Sequence, residues 1–123
     1  MSDLQPFKDA KYLNLETFKR DGTGVPTPVW FAENDGTLYV YTLAEAWKVK
    51  RVRHNPRVRI APCDMRGNLQ GAWVEAKARV VDPQEAEFGQ QLLDKKYGWL
   101  KKIGNFFSKI RGNKHAVIGI QLT

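Results

Sequence analysis

Pro26 and Pro28 stand two residues apart inside a run, Val25 to Ala32, that otherwise reads as a β-strand. Backbone N–H groups two residues apart leave a strand on the same lateral side, and proline has none, so one flank of this strand lacks two ladder donors. That flank has to be a sheet edge, a gap or the wall of a ligand site.

The neighbouring sequence supplies partners for such a strand. Lys11 to Arg20 reads as a strand closed by Asp21-Gly22, and Asn34-Asp35-Gly36 is a second hairpin signal, because Asn, Asp and Gly tolerate the positive φ that tight hairpins require. Thr37 to Thr42 alternates Leu38 and Val40 with Tyr39 and Tyr41, a period of two that gives a sheet two different faces. Val58 to Cys63 and Ala72 to Val81 follow around a Gly67-Asn68 loop; the second sets Ala72, Val74, Ala76, Ala78 and Val80 inward against Glu75, Lys77 and Arg79 outward. Ala116, Ile118, Ile120 and Leu122 alternate in a last strand.

Three short helices interrupt the strands. Ala44 to Asn55 predicts one that must stop near Pro56. Asp82-Pro83-Gln84-Glu85 predicts the start of another, with Asp82 as cap, Pro83 in the first turn, Glu85 at the capping-box position and an end near Tyr97. Trp99 to Arg111 sets Trp99, Leu100, Ile103, Phe106, Phe107 and Ile110 opposite Lys101, Lys102 and Lys109 at helical spacing. The reading is a mainly β chain: six antiparallel strands curled into a barrel, in a single domain over residues 1–123.

Charge is segregated. Of 20 Lys and Arg against 13 Asp and Glu, six cations and no acid lie in residues 46–60, and seven cations and no acid lie in the basic amphipathic segment 95–114. The other 88 residues therefore carry a net −6, so two local surfaces face anions while the rest of the body is mildly acidic. One cysteine and two histidines are too few for a disulfide framework or a compact structural zinc site, so no metal is expected. No apolar run approaches the roughly 18 residues of a membrane span. The segment MSDLQPFKDA lacks the apolar core of a signal peptide. A soluble, cytoplasmic protein is the expectation.

Familiar catalytic apparatus is missing. Ser2 and Ser108 are in no nucleophile-elbow context, and HExxH, the P-loop motif and GxGxxG are absent. Cys63, in APCD beside Asp64, reads as a small buried apolar residue rather than a reactive thiolate. His54 reads as a helix-end surface residue and His115 as a strand start, so neither is assigned a catalytic role.

The informative segment is TLAEAWKVKRVRHNPRV, Thr42 to Val58. On a helical wheel Val49 and Val52 form the apolar face, with Lys48 and Arg51 on one flank and Lys50 and Arg53 on the other, so one pair can face a pocket while the other faces solvent. Thr42 ends a strand just before the helix begins. A strand-end hydroxyl, a helix amino terminus and a first-turn lysine together suit a phosphate, although a basic run of this kind also serves as an ordinary solvated face.

Five pieces of the sequence, FKRDGTGVPTPVWFA, LYVYT, KVKRVRHNPRVRIAPCDMRG, GAWVEAKARVV and LLDKKYGW, occur in this order over nearly the whole chain. In that order and spacing they resemble the pyridoxamine 5′-phosphate oxidase-like superfamily, and most closely its small deazaflavin-dependent branch of flavin and deazaflavin oxidoreductases. The resemblance implies an FMN-binding type of split β-barrel, a homodimer with cofactor sites in clefts between subunits, and hydride transfer to a small-molecule substrate. It implies that the cofactor ring lies against Pro28, Val29 and Trp30, that Thr42, Lys48, Lys50 and Arg51 hold the phosphate, and that Pro62 and Cys63 belong to a segment closing over the ring or ribityl chain. Chemistry of this kind needs no protein nucleophile or metal. No catalytic acid or base is identified; Tyr39 and Tyr41 are candidate proton donors.

The deazaflavin coenzyme F-420 is favoured over FMN, because its phosphodiester and oligoglutamate tail would use more of the positive charge than one phosphate does. Three other readings compete. A cofactor-binding protein of the same fold need not be an enzyme. A small basic barrel with aromatics could bind single-stranded nucleic acid, but Trp30, Tyr39, Tyr41 and Trp73 fall on different strands and faces, so no nucleic acid is expected. The helix within 99–111 could lie on an anionic membrane, a reading set below packing of its aromatic face on the barrel or across the dimer.

Overall fold

The computed structural model describes residues 4–8, 10–97 and 115–123. After a short 3-10 turn, Gln5–Phe7, the chain forms strands β1 (Tyr12–Phe18), β2 (Gly24–Trp30), β3 (Ala32–Asn34) and β4 (Thr37–Leu43), and helix α1 (Trp47–His54). Strands β5 (Arg57–Cys63) and β6 (Val74–Val80), helix α2 (Pro83–Tyr97) and strand β7 (His115–Leu122) complete it. Every strand pairing is antiparallel, in the order β2-β1-β5-β6-β7-β4-β3. The two edge strands, β2 and β3, are consecutive in the chain and separated by Phe31 alone. A sheet whose edges are joined by one residue must curl until they meet, and the result is a split barrel.

Seven strands form where six were expected, because the run from Val25 to Ala32 changes partner at Phe31. Up to Trp30 it pairs with β1, Trp30 opposite Tyr12; from Ala32 it pairs with β4, Ala32 opposite Tyr39. Phe31 turns into the barrel at this corner, 1% exposed, and its ring meets Phe7 edge-on at 6.3 Å between centroids. The β3–β4 hairpin turns through Asp35 and Gly36, whose positive φ angles (53° and 86°) confirm the expected tight turn.

The period-two pattern resolves into two cores. Leu38 and Val40 point into the barrel with Leu13, Leu15, Val58, Ile60, Ile118 and Ile120, and Val49 and Val52 of α1 plug one end. Tyr39 and Tyr41 point the other way and are covered by α2 together with Val117, Val81 and Leu93. Removing a large apolar group from such a core costs about 3–5 kcal/mol for Phe→Ala, so Phe31 and its corner are strongly specified.

Two helix starts differ from expectation. α1 begins at Trp47 rather than Ala44, because Ala46 N–H closes a turn on the Leu43 carbonyl (3.1 Å), and it ends before Pro56 as expected. At α2, Asp82 caps as expected: its Oδ1 accepts from the Glu85 N–H at 2.8 Å. The Glu85 carboxylate does not complete a capping box. It is drawn instead to Arg79, with two bonds at 2.9 and 2.7 Å, and to the Tyr39 hydroxyl, which donates at 2.8 Å. Ala72 lies exposed in the loop before β6, whereas Ala76 and Ala78 point inward as the alternation requires. The helix expected over 99–111 lies outside the described residues.

Candidate ligand cleft

Where the bent strand leaves β4 to join β1, the backbone forks. One tine is Thr27 to Trp30 of β2, the other Tyr41 to Leu43 of β4, and a cavity of about 420 Å³ lies between them. Tyr12, Lys48, Met65 and Leu93 complete its lining. The volume falls within the roughly 300–1,000 Å³ of small-ligand sites.

Five of the nine residues singled out from sequence, Pro28, Val29, Trp30, Thr42 and Lys48, meet in this one cavity. The sheet explains why. The proline flank of β2 is indeed the open edge, and β4 delivers Thr42 to the head of α1, whose first turn carries Lys48. Lys48 Nζ donates to Thr42 Oγ1 at 3.4 Å. Burial, then the nearby Arg51 guanidinium, pushes the Lys48 ammonium below its ordinary pKa. The ion pairs among the described residues lie elsewhere, joining Arg57 to Glu75, Arg59 to Glu16 and Arg79 to Glu85. Among the described residues, a half-buried cation is thus held with a hydroxyl and no carboxylate. The α1 amino terminus at Ala46 has no side-chain cap, which leaves its N–H groups open to an acceptor.

The other four residues do not line this cavity. Arg51 Nε donates to Thr17 Oγ1 at 2.8 Å at the barrel end. Lys50 is exposed, its Nζ 4.6 Å from the Trp47 ring centroid. Pro62 and Cys63 are buried in β5, where the Pro62 carbonyl accepts from Gln70 N–H at 2.8 Å and Cys63 bridges to Leu69. Burial and the Asp64 carboxylate push the Cys63 thiol up to about 11. The helical-wheel division holds: Lys48 and Arg51 are partly buried, while Lys50 and Arg53 face solvent.

Sequence reasoning did not assign Tyr12, Thr27, Leu43, Met65 or Leu93 to the site. Tyr12 and Thr27 follow from the β1–β2 register, but Met65 comes from a loop and Leu93 from a helix, and no local pattern marks either. The β4 tyrosines separate in role, since Tyr41 borders the cavity and Tyr39 is engaged by Glu85. At 5% and 8% exposure, Tyr39 and Tyr41 offer no open stacking platform for bases. Arg57 and Arg59, counted with the basic run, are tied to Glu75 and Glu16, which leaves Lys48, Lys50, Arg51 and Arg53 as its cations without a carboxylate partner among the described residues.

The family model for pyridoxamine 5′-phosphate oxidase matches residues 4–121. The chain belongs to this family. No curated protein matches it. Among solved structures, a conserved hypothetical protein of Mycobacterium tuberculosis is similar at 22% identity and a TM-score of 0.73, over 99% of this chain and 81% of the other. A haem storage protein of Vibrio cholerae is similar at 17% identity and a TM-score of 0.68, over 99% and 92%. An FAD-binding protein of Mesorhizobium loti is similar at 19% identity and a TM-score of 0.62, over 100% and 91%. These TM-scores establish a shared fold with each protein.

The cleft is built from backbone, apolar and hydroxyl-bearing side chains, and one cation, Lys48. Among the described residues no group of three or more His, Cys, Asp or Glu could hold a metal ion, and no helix is long and apolar enough to cross a membrane. The arrangement can bind a flat apolar body between two backbone edges and fix an anionic end at Lys48.

Proposed function

We propose that the cleft binds a phosphate-bearing flavin or deazaflavin, with coenzyme F-420 favoured over FMN, and that the protein is an oxidoreductase acting on a small organic substrate. The observation that carries this reading is the half-buried Lys48 ammonium beside Thr42 at the uncapped start of α1, with no carboxylate partner among the described residues. The residues present fit such a group. The apolar tines Pro28 to Trp30 suit a flat ring, the Thr42 hydroxyl and Lys48 suit a phosphate, and Lys50, Arg51 and Arg53 lie on the same helix for further anionic groups. When bound, the ring supplies hydride chemistry. The chain orients it between the tines of β2 and β4, where Leu93 walls the cleft. The flavin-binding relative at 19% identity accords with this reading.

The rim supports a second copy as partner. Leu43 (41% exposed) and Met65 (67%) line the cleft and Trp47 (68%) begins the helix beside it, which leaves large apolar side chains in water there. A homodimer would cover them and complete the site. Sedimentation equilibrium at micromolar concentration should give twice the chain mass; a monomer would overturn the shared-cleft arrangement.

Mass spectrometry of the ligand retained on native purification, followed by titration with FMN and with F-420, tests the function. Retention or micromolar binding of either supports it, and tighter binding of F-420 supports the deazaflavin assignment. Binding of neither defeats the proposal. A protein that binds the cofactor yet oxidises and reduces no substrate is the cofactor-binding alternative.

A further inference from the structure

The fork needs a cause. The β3–β4 hairpin is antiparallel with a two-residue turn, and its ladder runs Asn34 opposite Thr37, Glu33 opposite Leu38 and Ala32 opposite Tyr39, where it stops. Nothing in the register itself requires a stop. Continued by the same count, the hairpin would set Trp30 opposite Tyr41, Pro28 opposite Leu43 and Pro26 opposite Glu45. In a hairpin closed by a two-residue turn the pair flanking the turn exchanges hydrogen bonds, and so does every second pair beyond it. The exchanging pairs are therefore those of Asn34, Ala32, Trp30, Pro28 and Pro26. Past Trp30, whose own pair with Tyr41 is already lost at the Phe31 corner, the remaining β4 partner, Leu43, would need an N–H from Pro28, and Pro26 falls opposite Glu45, just beyond the strand.

The other side of β2 gives the same answer independently. In the β1–β2 ladder Pro28 lies opposite Asn14 and Pro26 opposite Glu16. Proline can occupy only pairs that exchange no hydrogen bond, so Leu13–Val29, Leu15–Thr27 and Thr17–Val25 carry the bonds. Both proline nitrogens consequently face away from β1, and that of Pro28 faces β4 and the cavity. Each tine is also engaged on its own side. The Leu43 carbonyl already accepts from Ala46 N–H at 3.1 Å, and the Pro28 ring sits beside Gly67, whose carbonyl accepts from Asn14 Nδ2 at 3.1 Å.

We infer that Pro26 and Pro28 keep the cleft open in the free chain by withholding the backbone donors with which β2 would zip onto β4. The cleft is then a standing feature of the fold that a ligand finds ready, and the strand edge is also denied to any other strand that might add to it. That the cleft serves a flavin rests on the function proposed above; that prolines hold it open does not.

Residue-resolved hydrogen exchange of the ligand-free protein tests this, comparing wild type with the Pro26→Ala/Pro28→Ala double variant and with Pro28→Val, which places a strand-forming residue in the fork. Unchanged protection of Val58 and Ile118 reports an intact barrel. The amide gained at position 28 should exchange at least tenfold more slowly than an open edge amide, protection at Leu43 should rise by a similar factor, and FMN affinity should fall at least tenfold. Rapid exchange at position 28 in both intact-barrel variants, with FMN bound as in wild type, would overturn the inference. The exchange measurement needs no ligand, so a wild-type protein that takes up no FMN overturns the flavin reading and leaves exchange to decide the role of the prolines.

Discussion

Lys48 Nζ lies 3.4 Å from Thr42 Oγ1, so a strand end and the first turn of the next helix share one polar point at the edge of an otherwise apolar cleft. Burying an ammonium without a carboxylate is unfavourable unless an anion completes the site, and the barrel maintains that arrangement by locking α1 through Val49 and Val52.

The outer core depends on one carboxylate. Glu85 binds Arg79 twice and accepts from Tyr39, tying α2 to β6 and β4. Glu85→Ala should cost about 1–2 kcal/mol at neutral pH by urea unfolding. Arg79 first, with further help from Tyr39, holds the Glu85 carboxyl below its ordinary pKa. A carboxyl depressed in the folded state contributes stability above its unfolded pKa and loses it as pH falls through the folded value. The difference between wild type and Glu85→Ala should therefore shrink below about pH 4, the unfolded carboxylate range. A difference that persists unchanged at pH 2.5 would show that the carboxylate's charge is not what matters.

Lys96 gives a slope of the same sign in an alkaline window. Its ammonium donates to the Phe31 carbonyl at 2.8 Å and lies 3.7 Å from the Phe31 ring centroid, and burial pushes its pKa down to about 8. Between about pH 8 and the ordinary lysine value near 10.4 the unfolded chain binds more protons than the folded one, so this residue makes stability rise with pH across that window. Lys96→Met should flatten the rise in thermal midpoint between pH 8 and 10. Identical slopes in the two proteins would refute the assignment.

Cys63 should be inert in the native protein. It is 1% exposed and its thiol is pushed up to about 11 by burial and by Asp64, so the thiolate is scarce at neutral pH. Labelling with a disulfide reagent at pH 7.5 should proceed only as fast as the chain opens and become rapid in denaturant. Fast native labelling would show that β5 opens locally.

Much of this was legible in the residues because it depends on short-range chemistry. Two prolines of one parity forced an edge, Asp35-Gly36 forced a tight turn, and the alternation in TLYVYT gave two faces that became two cores. The split of one strand into two was hidden, because only the return of β4 beside it makes Phe31 a corner. Glu85 misled for a related reason. Its spacing from Asp82 suits a local cap, but the guanidinium of Arg79 and the hydroxyl of Tyr39 compete for the same oxygens once the sheet is assembled. Met65 and Leu93 reach the cleft from a loop and from the far half of a helix, positions that depend on the whole barrel.

The most direct test of the central claim is calorimetric titration of FMN and of riboflavin, which lacks the phosphate, into wild type, Lys48→Ala and Lys50→Ala. If Lys48 anchors the phosphate, wild type prefers FMN, Lys50→Ala keeps that preference, and Lys48→Ala weakens FMN about tenfold to a hundredfold while leaving riboflavin nearly unchanged, as loss of a charge-assisted hydrogen bond requires. An FMN-to-riboflavin ratio in Lys48→Ala equal to that of wild type would contradict the account and place the anion elsewhere.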